Sequence, residues 1–105
     1  MKCLRVTMPN GERWVVPTTV IANDRAKYYA GREESPEDSD RVYEEEYEFA
    51  MEDDLEIYDW APNNMNWVDV KEHATFIGPL ALSDRDYQEG WVNGEKKIVE
   101  LDIRV

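Results

Sequence analysis

Hydrophobic and polar positions alternate from Cys3 to Met8, with Leu4, Val6 and Met8 on one side and Arg5 and Thr7 on the other. A period of two predicts a half-buried strand. Asn10-Gly11 then offers a turn in which both residues tolerate positive φ, and Arg13-Trp14-Val15-Val16 reads as the returning strand. The same signal recurs late in the chain. Tyr87 to Val92, Asn93-Gly94 and Glu95 to Val105 predict a C-terminal hairpin, in which Val99, Leu101, Ile103 and Val105 alternate with Glu100, Asp102 and Arg104.

Between the hairpins the period lengthens. Pro17 ends the second strand, Thr18 or Thr19 can cap a helix, and that helix runs to Ala30 with Gly31 closing it. Tyr28 and Tyr29 near its end are expected to cover the sheet. Residues 33–40 are polar and interrupted by Pro36, which predicts a flexible acidic loop. A second helix is expected from Asp40 or Arg41 to Met51. It places Tyr43, Tyr47, Ala50 and Met51 on one face and Glu44, Glu48 and Glu52 on a ridge opposite. Leu55 to Ala61 suggests a short helical or turn segment before Pro62. Asn64 or Asn66 opens a third helix, Trp67 to Ala74. Thr75 to Leu82, broken by Gly78-Pro79, reads as a short strand or an extended crossover. The expectation is one α+β domain over residues 1–105: an antiparallel sheet from N- and C-terminal β-hairpins, with two or three helices packed on one face.

Composition changes this picture in one respect. Glu33 to Asp59 holds fourteen of the twenty-four carboxylates against a single cation, Arg41, a net of −13. The rest of the chain carries ten acids and eleven bases, so the formal charge of −12 is the property of one segment. With 42% hydrophobic and 11% aromatic residues, the chain is too apolar for a disordered acidic tail. At 105 residues it can bury a modest core. Cys3 is the only cysteine, so no internal disulfide and no cysteine-based zinc site can form. The opening Met-Lys-Cys-Leu-Arg lacks the apolar run of a secretion signal, and a reducing cytoplasm is the expected compartment.

Candidate chemistry is sparse. His73, the sole histidine, falls at a helix end beside Lys71, where it reads as a solvent-facing residue. There is no glycine-rich phosphate loop, nucleophile elbow or paired-histidine motif. A working acid/base pair needs unlike environments, and a solvated run of Glu and Asp supplies like ones. Asp38-Ser39-Asp40 and Glu52-Asp53-Asp54-Leu55-Glu56 lack the glycine and ligand spacing of a calcium loop. The expectation is a protein that is not an enzyme, with no cofactor and no metal.

The acidic stretch is either a solvated face or a docking surface. Like charges at i,i+4, as in Glu44-Glu48-Glu52, cost a helix roughly 0.2–0.5 kcal/mol per pair, a cost that interspersed lysines avoid. Were the segment helical throughout, it would span about 40 Å with a net charge every ~3 Å, comparable to the ~3.4 Å between phosphates of one DNA strand. A basic, nucleic-acid-handling surface is therefore the expected partner, while direct contact with nucleic acid or an anionic membrane is opposed. The residues expected to meet that partner are Glu44, Glu45, Glu48, Glu52, Asp53, Asp54, Glu56, Asp59 and Trp60, with the interleaved aromatics Tyr43, Tyr47, Phe49 and Tyr58 as further anchors or as core. Two other readings stay open: a virion assembly component that self-associates, for example as a homodimer, through its aromatic surface, and a divalent-cation module.

Several stretches carry a resemblance. Met8 to Pro17 (MPNGERWVVP), Val20 to Ala22, Arg25 to Ala30 (RAKYYA), Asp59 to Ala74 (DWAPNNMNWVDVKEHA) and Tyr87 to Gly94 (YQEGWVNG) look like a group of small acidic accessory proteins of tailed phages and prophages. The resemblance spans about two-thirds of the chain and assigns no functional residue. It implies a phage accessory protein in the bacterial host cytoplasm that binds host machinery. An inhibitor of a nucleic-acid-handling defence complex, CRISPR surveillance included, is the kind of role it suggests.

Overall fold

The structure is a computed structural model that describes residues 1–79 and 86–101. Four strands form one antiparallel sheet in the order β3-β2-β1-β4: β1 (Lys2–Thr7), β2 (Arg13–Pro17), β3 (Thr75–Gly78) and β4 (Lys96–Glu100). The N-terminal hairpin is as expected. Gly11 takes φ 89°, Met8 N donates to Glu12 O at 2.7 Å, and Glu12 N donates to Asn10 Oδ1 at 3.0 Å. Leu4 lies opposite Val16 and Ile98, and Val6 opposite Trp14, so one sheet face is apolar. Cys3 and Val15, on the other face, are buried as well, and burial pushes the Cys3 thiol above its ordinary pKa.

Helices α1 (Thr18–Ala30), α2 (Pro36–Glu52), α3 (Asp54–Asn64), α4 (Trp67–Val70) and α5 (Tyr87–Asn93) surround that apolar face, and a 3₁₀ turn (Lys71–His73) extends α4. The core joins Leu4, Val6 and Val16 of the sheet to Ile21 and Ala22 of α1, Ala50 of α2, Ile57, Trp60 and Ala61 of α3, and Trp91 of α5. The α+β class and the antiparallel sheet match the sequence expectation. Five α-helices among the described residues exceed the two or three expected.

The C-terminal hairpin is corrected. Tyr87 to Asn93 is helix α5, and β4 pairs with β1 instead of with the strand expected over residues 87–92. Asp86 caps α5 by accepting from Glu89 N, and the Gly94 amide closes it on Gly90 O at 2.8 Å. Asn93-Gly94, read as a turn, is a helix end. Gly90 allows α5 to lie against Met8, because a Cβ there would collide with the Met8 sulfur. The buried Trp91 indole donates to Ala61 O and Met65 O, at 3.2 and 2.9 Å, and so satisfies carbonyls at the end of α3. The expected strand residues Ile103 and Val105, and residues 80–82 of the expected crossover, lie outside the described residues.

Two smaller readings change for local reasons. Pro17, not a threonine, occupies the α1 cap position, and buried Thr18 donates its hydroxyl to Lys2 O. Tyr28 and Tyr29 pack on Trp60 of α3, with ring centroids 5.4 and 5.9 Å from the indole, instead of covering the sheet.

A candidate acidic docking surface

The acidic segment is organised by two caps and one corner. Ser35 caps α2 through Oγ, which accepts from Asp38 N at 3.1 Å, with Pro36 in the first turn and Glu37 and Asp38 facing the helix dipole. Ser39 ties this turn to α1 by donating to Ala30 O. The expected acidic loop over residues 33–40 is thus corrected: from Pro36 onward it is helix. The proline taken for a breaker is a helix-start signal. At the other end the chain turns at Asp53, whose amide donates to Phe49 O and whose Oδ1 accepts from Leu55 N at 3.0 Å. The segment is therefore two helices and not one 40 Å rod.

The inward face of α2 is held by α1. Tyr43 and Tyr47 stack, and the Tyr43 hydroxyl donates to Asn23 Oδ1 at 2.6 Å. Arg25, 7% exposed, is the central cation. It pairs with Glu46 at 2.6 Å and Glu56 at 3.4 Å, and its guanidinium lies over the rings of Tyr29 and Phe49. One planar fork thereby ties α1, α2 and α3 together, a role that the delocalised charge and donor geometry of arginine suit. Arg25 and Tyr29 share a helix face in the sequence. The convergence of Glu46 and Glu56 on that face needs the tertiary fold.

These contacts sort the nine expected partner-binding residues. Glu44, Glu45, Glu48 and Glu52 are exposed on α2, and Asp59 is exposed on α3. Among the described residues none of these five is in an ion pair. The other four serve the fold. Asp53 caps α3, Asp54 pairs with Lys2 at 2.5 Å, and Glu56 pairs with Arg25. Trp60 is corrected as a docking anchor: it is 7% exposed and donates its indole N–H to Asp24 Oδ2 at 2.9 Å. Tyr58 is also internal, its hydroxyl accepting from Ile98 N of β4 at 2.7 Å. Of the interleaved aromatics, Phe49 alone is exposed, at 47%. Leu55, 73% exposed, was missed because an apolar residue in a helical segment reads as core.

The outward face of α2 shows Glu37, Asp40, Glu44, Glu45, Glu48 and Glu52 with one cation, Arg41, a net of −5. Arg41 is itself paired with Asp38 at 3.2 Å. Over 17 residues, about 25 Å of helix, this gives one net charge per ~5 Å, sparser than the ~3.4 Å phosphate spacing of a DNA strand. The last turn of α2 contains no base, so Glu48 and Glu52 stand at the dipole end that repels them. Beside this face, Tyr29, Arg32, Glu33, Val42 and Glu46 line a cleft of about 320 Å³ along the seam between α1 and α2.

Among the described residues no three His, Cys, Asp or Glu side chains converge as a metal-binding group, and no helix is long and apolar enough to cross a membrane. Comparison of the chain with known protein families, with curated proteins and with solved structures finds no match.

Proposed function

We propose that this chain is a non-enzymatic accessory protein that docks the outward face of α2 on a basic surface of a nucleic-acid-handling protein. Together with the resemblance to phage and prophage proteins, this makes it an inhibitor of host machinery, of the anti-defence kind, acting in the bacterial host cytoplasm. The observation that carries the reading is the division of the carboxylates. The fold neutralises Glu46, Asp54 and Glu56 with its own Arg25 and Lys2, yet leaves Glu44, Glu45, Glu48 and Glu52 facing solvent without a described cation. That arrangement costs α2 like-charge repulsion and an unfavourable dipole, and a cationic partner relieves both. The ~5 Å charge spacing supports docking on a basic surface more than register with phosphates.

The test is capture from a bacterial lysate on immobilised protein at low and high salt. The partner is expected to be retained at low salt and released as salt rises, because charge contacts are screened. The triple reversal Glu44→Lys, Glu48→Lys, Glu52→Lys should lose the partner while keeping its far-UV spectrum. Equal capture by parent and triple reversal overturns the proposal.

A self-associating assembly role draws on a different observation. Val68, Phe76 and Ile77 are exposed beside the aromatic group of Trp14, Trp67 and Tyr87. Salt-insensitive oligomers in sedimentation would favour it.

A further inference from the structure

The acidic face is bordered by apolar side chains that lie outside the core cluster. On α2, Val42 and Phe49 lie seven residues apart, two turns along one line of the helix, with Glu45 and Glu52 on their outer side. Val42 lines the cleft with Tyr29, and Phe49 lies nearly half exposed beyond it, one side of its ring covered by Arg25. Leu55 opens α3 just past the Asp53 corner and is more exposed than either. Phe49 and Leu55 are absent from the residues packed against the core. The Asp53 hydrogen bonds to Phe49 O and from Leu55 N hold the two positions at one corner. Isolated exposed apolar residues need no explanation. Val42 and Phe49 along one line of α2, continued past the corner by Leu55 and bordered by uncompensated carboxylates, match a partner that is apolar and cationic at once.

We infer that the border of the acidic face, from Val42 and Phe49 on α2 to Leu55 past the Asp53 corner, receives a cationic amphipathic segment of the partner protein. Its apolar side chains seat on Val42, Phe49 and Leu55, and its lysines and arginines face Glu45, Glu48 and Glu52. Charge complementarity selects this occupant: a second copy would bring its own net charge of −12, and an anionic surface would be repelled. In this arrangement the carboxylates set the encounter rate and the salt dependence, while the apolar anchors set the residence time. The inference rests on the acidic docking reading and adds the anchors to it.

Two synthetic helical peptides of equal positive charge test it by fluorescence anisotropy with the intact protein. One carries Lys on one face and Leu on the other, and the second has Ser in place of every Leu. The Leu peptide should bind about tenfold more tightly, the scale expected for burying an aliphatic side chain. Leu55→Ser should reduce that preference severalfold without altering the slope of affinity against salt, whereas Glu48→Lys with Glu52→Lys should flatten the slope. Leu55 is the variant of choice because its exposure leaves folding intact, which a thermal melt verifies. Equal binding of the two peptides, or a preference left undiminished by Leu55→Ser, overturns the anchoring inference and leaves acidic docking standing. If neither peptide binds the parent at low salt, acidic docking itself is wrong and the inference falls with it.

Discussion

Both sides of α2 carry glutamates, and the two sides use them in opposite ways. On the inward side Glu46 meets Arg25, Tyr43 meets Asn23, and Ala50 is wholly buried. On the outward side Glu44, Glu48 and Glu52 succeed one another at i,i+4 with no cation between them. The difference lies in what α1 presents to each side. A carboxylate becomes structural where a guanidinium is fixed beside it and stays available where none is. Net charge alone does not reveal this division.

Breaking the inward side should cost most. Arg25→Ala strands Glu46 and Glu56 without their cation and should destabilise the protein by ~3 kcal/mol in urea unfolding, the lower end for a broken buried pair because both glutamates are partly solvated. Arg25→Lys should recover only part of the loss, since a single ammonium cannot fork to both acids while lying over two rings. Ser35→Ala removes the α2 cap and should cost about 1 kcal/mol by the same measurement.

Editing the outward side should do the reverse. Glu48→Lys with Glu52→Lys turns the Glu44–Glu48 repulsion into an attraction, exchanges one like-charged pair for another at positions 48 and 52, and reverses the charge at the C-terminal end of α2, so thermal stability should rise by roughly 0.5 kcal/mol at low salt and converge on the parent at high salt. A loss of stability in this double variant would mean that the outward carboxylates serve the fold after all.

The smallest expected effect concerns the sheet. The Cys3 thiol is buried and its pKa is raised above the ordinary value of 9.0. Below that value both folded and unfolded chains keep the proton, and stability does not respond. Above it the unfolded chain releases a proton that the folded chain retains, so stability falls as pH rises. Cys3→Ala should remove that part of the alkaline decline in a series of urea melts at increasing pH.

The sequence was most readable where local signals and tertiary demands agree. The Asn10-Gly11 hairpin needed only alternation and a turn. The amphipathic face of α2 followed from its spacing, and Asn66 does precede α4. It misled where one signal serves two structures. Asn93-Gly94 closes a helix as readily as it turns a hairpin, and what decides is Trp91 finding carbonyl acceptors on α3. Pro36 starts a helix because Ser35 precedes it. Trp60 had the composition of an interface anchor, and Asp24, 36 residues away, takes its N–H inside. The outward carboxylates could be read because exposure follows from helical period. Their inward counterparts could not, since Arg25 is far from both in the chain.

The placement of β1 has a consequence for how this molecule comes into being. It is an inner strand whose neighbours are β2, made immediately after it, and β4, made only after all five described helices. During synthesis its outer row of amides and carbonyls must wait, open to adventitious pairing, until Lys96 to Glu100 arrives. Protease resistance should therefore appear abruptly, and only in nascent chains long enough to have delivered β4.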